Sequence, residues 1–226
     1  MSITKEQLQK LNIKDALIDR YIVYLNETLE KYSINTPLRI SNFLAQILHE
    51  SGDFHYTQEL ASGKAYEFRL DLGNDLKGEG VKYLGRGLIQ LTGDYTYKRY
   101  GSYVKYDFNK NPKDLASPKY ACDSAGWFWT VFKKDKFGNN LNSFSDKNDF
   151  VKITYFVNGG FNGFHDRLRN YSEALEVFCN DDREKLLKEL KDNMKLLLSS
   201  KVDTTMTKVL KKTLKGTDLE KSFNGI

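Results

Sequence analysis

One helical pattern that stops at a glycine break constrains this chain more than any other feature. Thr36 and Pro37 form a typical helix start, a hydroxyl N-cap followed by proline in the first turn. Apolar residues then recur every three or four positions and predict one buried helix face: Ile40, Phe43, Leu44, Ile47 and Leu48. Glu50 follows on the flank of that face, where partial burial favours a protonated carboxyl. Beyond it the helical spacing is lost, and glycines predict loops and short strands over residues 51–82.

A second glutamate, Glu59, lies nine positions after Glu50 on the far side of the Ser51-Gly52-Asp53 break. Either glutamate alone would be interpreted as a solvated surface carboxylate. Together, an acid on a helix end and an acid on the following segment supply what glycosidic bond hydrolysis requires.

The rest of the chain predicts a mostly helical α+β fold, with a small irregular β segment lining a groove. A capping box at Thr4 opens the first helix. Further helical spacing covers residues 16–32, 95–106, 117–132 and 166–179. Residues 83–92 are compact and apolar between glycines, which predicts a strand or turn. Residues 137–148 are polar and rich in Gly and Asn, which predicts a surface loop.

The net charge of +5 is confined to the C-terminal tail. From Arg183 onward, eleven Lys or Arg stand against six Asp or Glu, so residues 1–182 are neutral overall. We therefore predict a catalytic domain over 1–182 and a basic extension of two amphipathic helices over 183–226. These helices either pack on the domain with their lysines in water or dock to anionic envelope polymers or a membrane surface.

Several other classes of protein lack support in the sequence. Cys122 and Cys179 do not make a disulfide framework, and two free, buried thiols are expected. His49 and His55 are six positions apart, not four as in a HExxH zinc site, so no metal or cofactor is expected. No nucleic-acid motif accompanies the lysines, and we expect a monomer.

The start lacks the pattern of a secretion signal and no stretch approaches the roughly 18 apolar residues of a membrane span. We therefore expect synthesis in the cytoplasm and another exit route for any action outside.

The motifs HESGDFHYTQE and YLGRGLIQLTG, followed by a later NGG, resemble glycoside hydrolase family 19, the chitinase-like and phage-endolysin family. The resemblance extends over roughly residues 40–178 and is absent from the tail. It implies a lysozyme-like fold and an inverting mechanism, with Glu50 as the general acid. Glu59 matches the general base of the loop-poor members, which also separate the two carboxylates by nine positions.

The same resemblance implies roles for four further residues. Thr92 matches a hydroxyl that holds the attacking water, and Gln90 matches a substrate-binding glutamine. Asn158 matches an asparagine near the base and sugar, although Asn-Gly-Gly is also a plain turn signal. Arg167 matches an arginine beside the acid; without the family it would be interpreted as part of a helix-surface ion pair.

One position departs from the family pattern. Plant members carry an acidic residue four positions after the asparagine, which bridges to that arginine, whereas this chain has Asn162. We hypothesise that Glu67 supplies the missing negative charge. Glu67 is also the rival of Glu59 for the general base.

The resemblance implies cleavage of β-1,4 bonds next to N-acetylated amino sugars. Such bonds occur in peptidoglycan and in chitin, and the short loops favour peptidoglycan. Action in the periplasm or on the cell wall is then expected. A non-catalytic glycan-binding protein on a hydrolase scaffold is the alternative of another class, and the presence of both glutamates argues against it.

Overall fold

The computed structural model describes residues 1–200, 204–215 and 217, and these are predominantly helical. The α-helices in this part of the chain are α1 (Lys5–Lys10), α2 (Asp15–Lys31), α3 (Pro37–Ser51), α4 (Glu79–Lys82), α5 (Asp94–Val104), α6 (Pro118–Trp127), α7 (Leu141–Ser145), α8 (Phe150–Asn158), α9 (Phe164–Phe178), α10 (Arg183–Ser199) and α11 (Thr205–Leu214). Short 3-10 turns occupy Lys64–Tyr66, Leu70–Leu72, Pro112–Ala116 and Asn180–Asp182. A π-helical turn, Phe128–Phe132, follows α6.

The predicted helix starts are confirmed in atomic detail. Thr4 and Gln7 form a reciprocal capping box, in which each side chain accepts a hydrogen bond from the other residue's backbone N–H. The Thr36 hydroxyl accepts from the backbone N–H of Arg39 at 3.2 Å and caps α3 as expected. Because these bonds satisfy N–H groups that have no partner inside the helix, the helices begin where the sequence places them.

Two local predictions need correction or refinement. The predicted surface loop over 137–148 is wrong, because α7 lies within it and buries Leu141 and Phe144 completely or nearly so. The predicted β segment consists of isolated bridges that pair Arg86 with both Gln58 and Leu91. The glycines on both sides of Arg86 keep the backbone irregular, so no regular strand develops in this described region.

The chain divides into two compact units. The first unit comprises Met1–Asn35 and Ile47–Phe132, and the second comprises Thr36–Gln46 and Lys133–Ile226. In the first unit α2 packs against α6 through Gly126, where an added Cβ would overlap Tyr32. Asp123 on α6 accepts hydrogen bonds from Tyr32 (3.0 Å), Tyr100 (2.8 Å) and Lys31 (2.5 Å), which ties α5 and α6 to α2.

The basic tail lies within the second unit. Leu190 and Met194 of α10, together with Leu210 and Leu214 of α11, belong to one hydrophobic cluster with Tyr171 and other residues of α8 and α9. The predicted division at residue 182 stays a prediction, although the described residues of α10 and α11 pack with those of α8 and α9. Charge composition describes the exposed face of an amphipathic helix, whereas packing depends on its apolar face.

Both cysteines are free thiols, as predicted, although only Cys122 is fully buried and Cys179 is partly exposed. Burial raises the pKa of the Cys122 thiol, which makes it a poor nucleophile at neutral pH. None of the helices described here is both long and apolar enough to cross a membrane.

Candidate active site

The turn that follows α3 fixes the chain between the two glutamates. Gly52, Asp53 and Phe54 all have positive φ angles, of 55°, 55° and 68°, which is unfavourable for the two non-glycine residues. Ser51 stabilises this turn, because its hydroxyl donates to the Ile47 carbonyl (2.6 Å) and accepts from the Phe54 N–H (3.0 Å). The Phe54 ring is fully buried, 5.6 Å from that of Tyr21. Glu50 is therefore presented half-buried on the last turn of α3.

The segment that carries Glu59 is paired with the loop around Arg86. The Glu59 N–H donates to the Gly85 carbonyl at 2.9 Å, and the Gly87 N–H donates to the Thr57 carbonyl at 2.9 Å. Arg86 is 3% exposed, and its guanidinium donates to Gln58, to the Lys82 carbonyl and to Tyr97, each at 2.8 Å. This buried arginine holds the loop in place, a role that the sequence did not predict. The sequence feature that could have indicated this role is a charged residue between two glycines in an apolar stretch.

The Glu59 carboxylate is held through both of its oxygens. The Tyr66 hydroxyl donates to Oε1 at 2.9 Å, and the Gly85 N–H donates to Oε2 at 3.2 Å. Burial, and then the hydrogen bond and charge of Glu59, raise the pKa of Tyr66, so its phenol remains a donor at neutral pH. The sequence did not predict the contact of Tyr66 with Glu59. The seven positions between them span an irregular loop, where neither a helix nor a strand period applies, so nothing in the pattern pairs the two residues.

Three of the predicted site residues converge beside Gly85. A Cβ added to this glycine would lie 2.9 Å from Gln90 Oε1, 3.2 Å from Glu59 Oε2 and 3.3 Å from Thr92 Oγ1. The Gln90 Nε2 donates to the Gly87 carbonyl at 2.8 Å, which fixes Oε1 as the atom facing Gly85. The Thr92 hydroxyl donates to the Gln90 carbonyl at 3.0 Å. The three oxygens therefore lie close together beside Gly85, and such a group of acceptors suits a molecule with two O–H donors.

Glu67 is partly buried in the loop between the 3-10 turns Lys64–Tyr66 and Leu70–Leu72. Its carboxylate accepts a hydrogen bond from the Gly78 N–H at 2.9 Å. This contact ties the loop to the start of α4. The pairing of Glu67 with Arg167 and its role as a rival base stay predictions.

Asn158 and Arg167 belong to the second unit and are linked there through Asn162. The Asn158 Oδ1 accepts from the Asn162 N–H (3.1 Å), and the Asn162 carbonyl accepts from Arg167 Nε (3.1 Å). Arg167 is 1% exposed and also donates to Gln46 Oε1 at 2.7 Å. At the position where the family pattern has an acid, this chain thus contacts the arginine through a main-chain carbonyl. The contact is present without a carboxylate at that position.

No group of three His, Cys, Asp or Glu side chains that could hold a metal ion occurs within the described residues. The functional groups of the candidate site are the carboxyl groups of Glu50 and Glu59 and, around Glu59, a phenol, an amide and a hydroxyl.

Comparisons with known proteins find similar sequences and folds among chitinases and related glycoside hydrolases. The family model described as chitinase class I, of glycoside hydrolase family 19, matches residues 38–141. A glycosyl hydrolase family 19 domain-containing protein of Haemophilus influenzae is 28% identical, over 70% of this chain and 88% of that protein. An endochitinase of Arabidopsis thaliana is 33% identical, over 54% of this chain and 39% of the plant protein. The chain thus spans less than half of that plant relative.

The fold is similar to that of chitinase C from Streptomyces griseus, with a TM-score of 0.64 and 20% identity. The match covers 78% of this chain and 76% of that one. This likeness confirms the predicted fold class, predominantly helical and lysozyme-like.

Proposed function

We propose that this glycosidase, which matches the model of glycoside hydrolase family 19 over residues 38–141, cleaves the glycan of peptidoglycan at a β-1,4 bond with inversion. The observation that carries the proposal is the convergence of Glu59, Gln90 and Thr92 beside Gly85. It provides lone pairs for both protons of a water, one of them on a carboxylate that acts as general base.

In the proposed reaction Glu50 is the general acid. Its carboxyl protonates the glycosidic oxygen as the bond from the anomeric carbon to that oxygen breaks. Glu50 lies half-buried on the last turn of α3, in the same compact unit as Glu59.

Glu59 is the general base. It removes one proton from the water while the water oxygen attacks the anomeric carbon from the opposite face. Thr92 Oγ1, whose own proton is directed to the Gln90 carbonyl, accepts the second hydrogen bond from that water. The lone pair of the water then points at the sugar, and the configuration is inverted. Two carboxyl groups and one water complete the reaction.

The choice of peptidoglycan rests on the short loops and on the lysines of α10 and α11, which suit an anionic wall. Since peptidoglycan lies outside the cytoplasmic membrane, the proposal includes action in the periplasm or on the cell wall after release. Chitin is the second candidate, because the relatives named above include chitinases.

Digestion of purified peptidoglycan and of chitin oligosaccharides by the wild type, by E50Q and by E59Q tests the proposal. Mass analysis should show muropeptide fragments that neither variant releases, and NMR of the first product should show the inverted anomer. Cleavage of chitin alone would overturn the choice of peptidoglycan, and a retained anomer would overturn the inverting mechanism.

A further inference from the structure

Tyr66, which contacts Glu59, is itself held by a buried asparagine. Asn74 is fully buried; its Nδ2 donates to the Tyr66 carbonyl at 2.9 Å, and its Oδ1 accepts from the Asp94 N–H at 2.9 Å. Asp94 is the first residue of α5, so one side chain joins the loop of Tyr66 to a helix N-terminus. Asn74 thus anchors the backbone of Tyr66 to a regular element of the first unit.

The other side of Tyr66 is fixed by close backbone packing. A Cβ on Gly80 would lie 2.5 Å from the Glu67 nitrogen and 2.7 Å from the Tyr66 carbonyl carbon. The Tyr66 N–H donates to the Gly63 carbonyl at 2.9 Å, which closes a 3-10 turn. The main chain at Tyr66 is therefore held on two sides, so the side chain extends from a fixed backbone position.

We propose that Tyr66, anchored by Asn74, is a positioning residue that orients the Glu59 carboxylate. The proposal rests on the proposed role of Glu59 as general base. One donor occupies each oxygen, Tyr66 on Oε1 and Gly85 on Oε2, so the carboxylate cannot rotate about its terminal bond without losing both bonds. The remaining lone pair of Oε2 then faces Gln90 and Thr92.

The donor suits this role. Because burial raises its pKa, the Tyr66 phenol stays protonated and keeps the hydrogen bond at neutral pH. Loss of the hydroxyl leaves Oε1 without this contact, and the carboxylate can then turn away from the water that it deprotonates.

Tyr66→Phe tests the proposal, because it keeps the ring and removes only the hydroxyl. On whichever soluble substrate the wild type cleaves, chitin oligosaccharides or peptidoglycan fragments, kcat should fall about tenfold with KM nearly unchanged. A raised KM with an unchanged kcat would mean a structural or substrate-binding role and would overturn the proposal.

Tyr106→Phe is the matched control, since the Tyr106 hydroxyl also donates to a carboxylate, that of Asp114, away from Glu59. It should leave kcat at the wild-type value. Asn74→Asp keeps the acceptor for the Asp94 N–H and loses the donor to the Tyr66 carbonyl. In a preparation with a cooperative melting transition, it should lower kcat with KM nearly unchanged, as Tyr66→Phe does. A wild-type kcat would remove Asn74 from the proposal.

Two further variants separate this proposal from the proposed function. If Glu59→Gln retains wild-type turnover, Glu59 is not the base and both proposals fall. If Glu59→Gln is inactive while Tyr66→Phe keeps the wild-type kcat, only the positioning proposal falls. The double variant should be no less active than Glu59→Gln alone, because Tyr66 acts through Glu59.

Discussion

Glu59 in the first unit and Arg167 in the second are both charged residues in contact with neighbouring polar groups, and they are held in opposite ways. Arg167 is almost fully buried within helices, and it donates to Gln46 and to the Asn162 carbonyl. Glu59 lies half-exposed on an irregular segment, with one donor on each carboxylate oxygen. Each of its oxygens therefore keeps a lone pair for another donor. The buried, enclosed charge supports the fold, and the half-exposed one can exchange protons.

The largest expected effect comes from Glu59→Gln. The amide keeps the shape of the side chain but cannot take a proton from water, so kcat should fall on the order of 10³-fold. The melting temperature should stay close to that of the wild type, because the Gln oxygen can still accept one of the two hydrogen bonds. Steady-state kinetics and thermal unfolding of the same preparation measure both. A variant that unfolds at a much lower temperature would give Glu59 the structural role assigned here to Arg167.

Arg167→Met, unlike Glu59→Gln, should lower the stability of the protein. It leaves Gln46 Oε1 and the Asn162 carbonyl without this donor, which should cost roughly 1–3 kcal/mol of the free energy of unfolding. At this chain length each kcal/mol lowers the melting temperature by roughly 2–4 °C.

The matched control for Arg167 is Arg169→Met on the same helix. Arg169 is exposed and forms ion pairs with Asp166 and Glu173 on the helix surface. Such pairs contribute little, so its loss should change stability by less than about 0.5 kcal/mol. Equal effects of the two substitutions would refute the view that Arg167 is a buried support.

How much the sequence predicts differs between the two regions for a physical reason. The helices that carry Glu50 and Arg167, and the Thr36 cap of the first of them, follow from the 3.6-residue period and from local hydrogen bonding, and the structure confirms them. The contact of Asn162 with Arg167 could not be predicted, because it uses a main-chain carbonyl that any residue provides.

The loop region is predictable only by its motif. The nine-residue spacing and the GRG sequence indicated Glu59, Gln90 and Thr92, whereas Tyr66, Asn74 and Arg86 were missed. Their hydrogen bonds join residues that are 4 to 28 positions apart without a regular period. The α7 helix was missed for a related reason, since tertiary burial of Leu141 and Phe144 outweighs the polar composition of residues 137–148.

Gly85→Ala tests the space beside Gly85, where Glu59, Gln90 and Thr92 converge. The residue has no positive φ angle, so the added methyl meets the three oxygens and not a strained backbone. It would press on the Glu59 carboxylate and the two neighbouring oxygens that are proposed to surround the attacking water, and kcat should fall about tenfold or more.

Gly160→Ala is the matched control for Gly85. Its added Cβ would meet its nearest neighbours only at 3.6 and 4.0 Å, which is ordinary van der Waals contact. Its turnover should stay at the wild-type value. If Gly85→Ala is equally active, the space beside Gly85 is not where the water is held.

The smallest expected effect concerns the exposed lysines of the second unit. Deleting the tail would not test a docking role, because it also removes Leu190, Met194, Leu210 and Leu214 from the hydrophobic cluster. Charge can be removed without that damage by changing four exposed lysines to Gln: Lys185, Lys188, Lys208 and Lys212. If these lysines dock to an anionic wall, binding to cell-wall fragments should weaken a few-fold at low salt. The difference should disappear at about 1 M salt, where the screening length is near 3 Å.

A variant with the same loss of charge in the first unit controls for net charge alone. Lys10, Lys14, Lys113 and Lys119 are also exposed, and their change to Gln should leave binding closer to that of the wild type. Hydrolysis of soluble fragments should be unaffected in both variants, since none of these lysines contacts Glu59, Gln90 or Thr92 among the interactions described above. Equal weakening by the two sets would show that the wall responds to total charge, and the tail would then be only a packed part of the second unit.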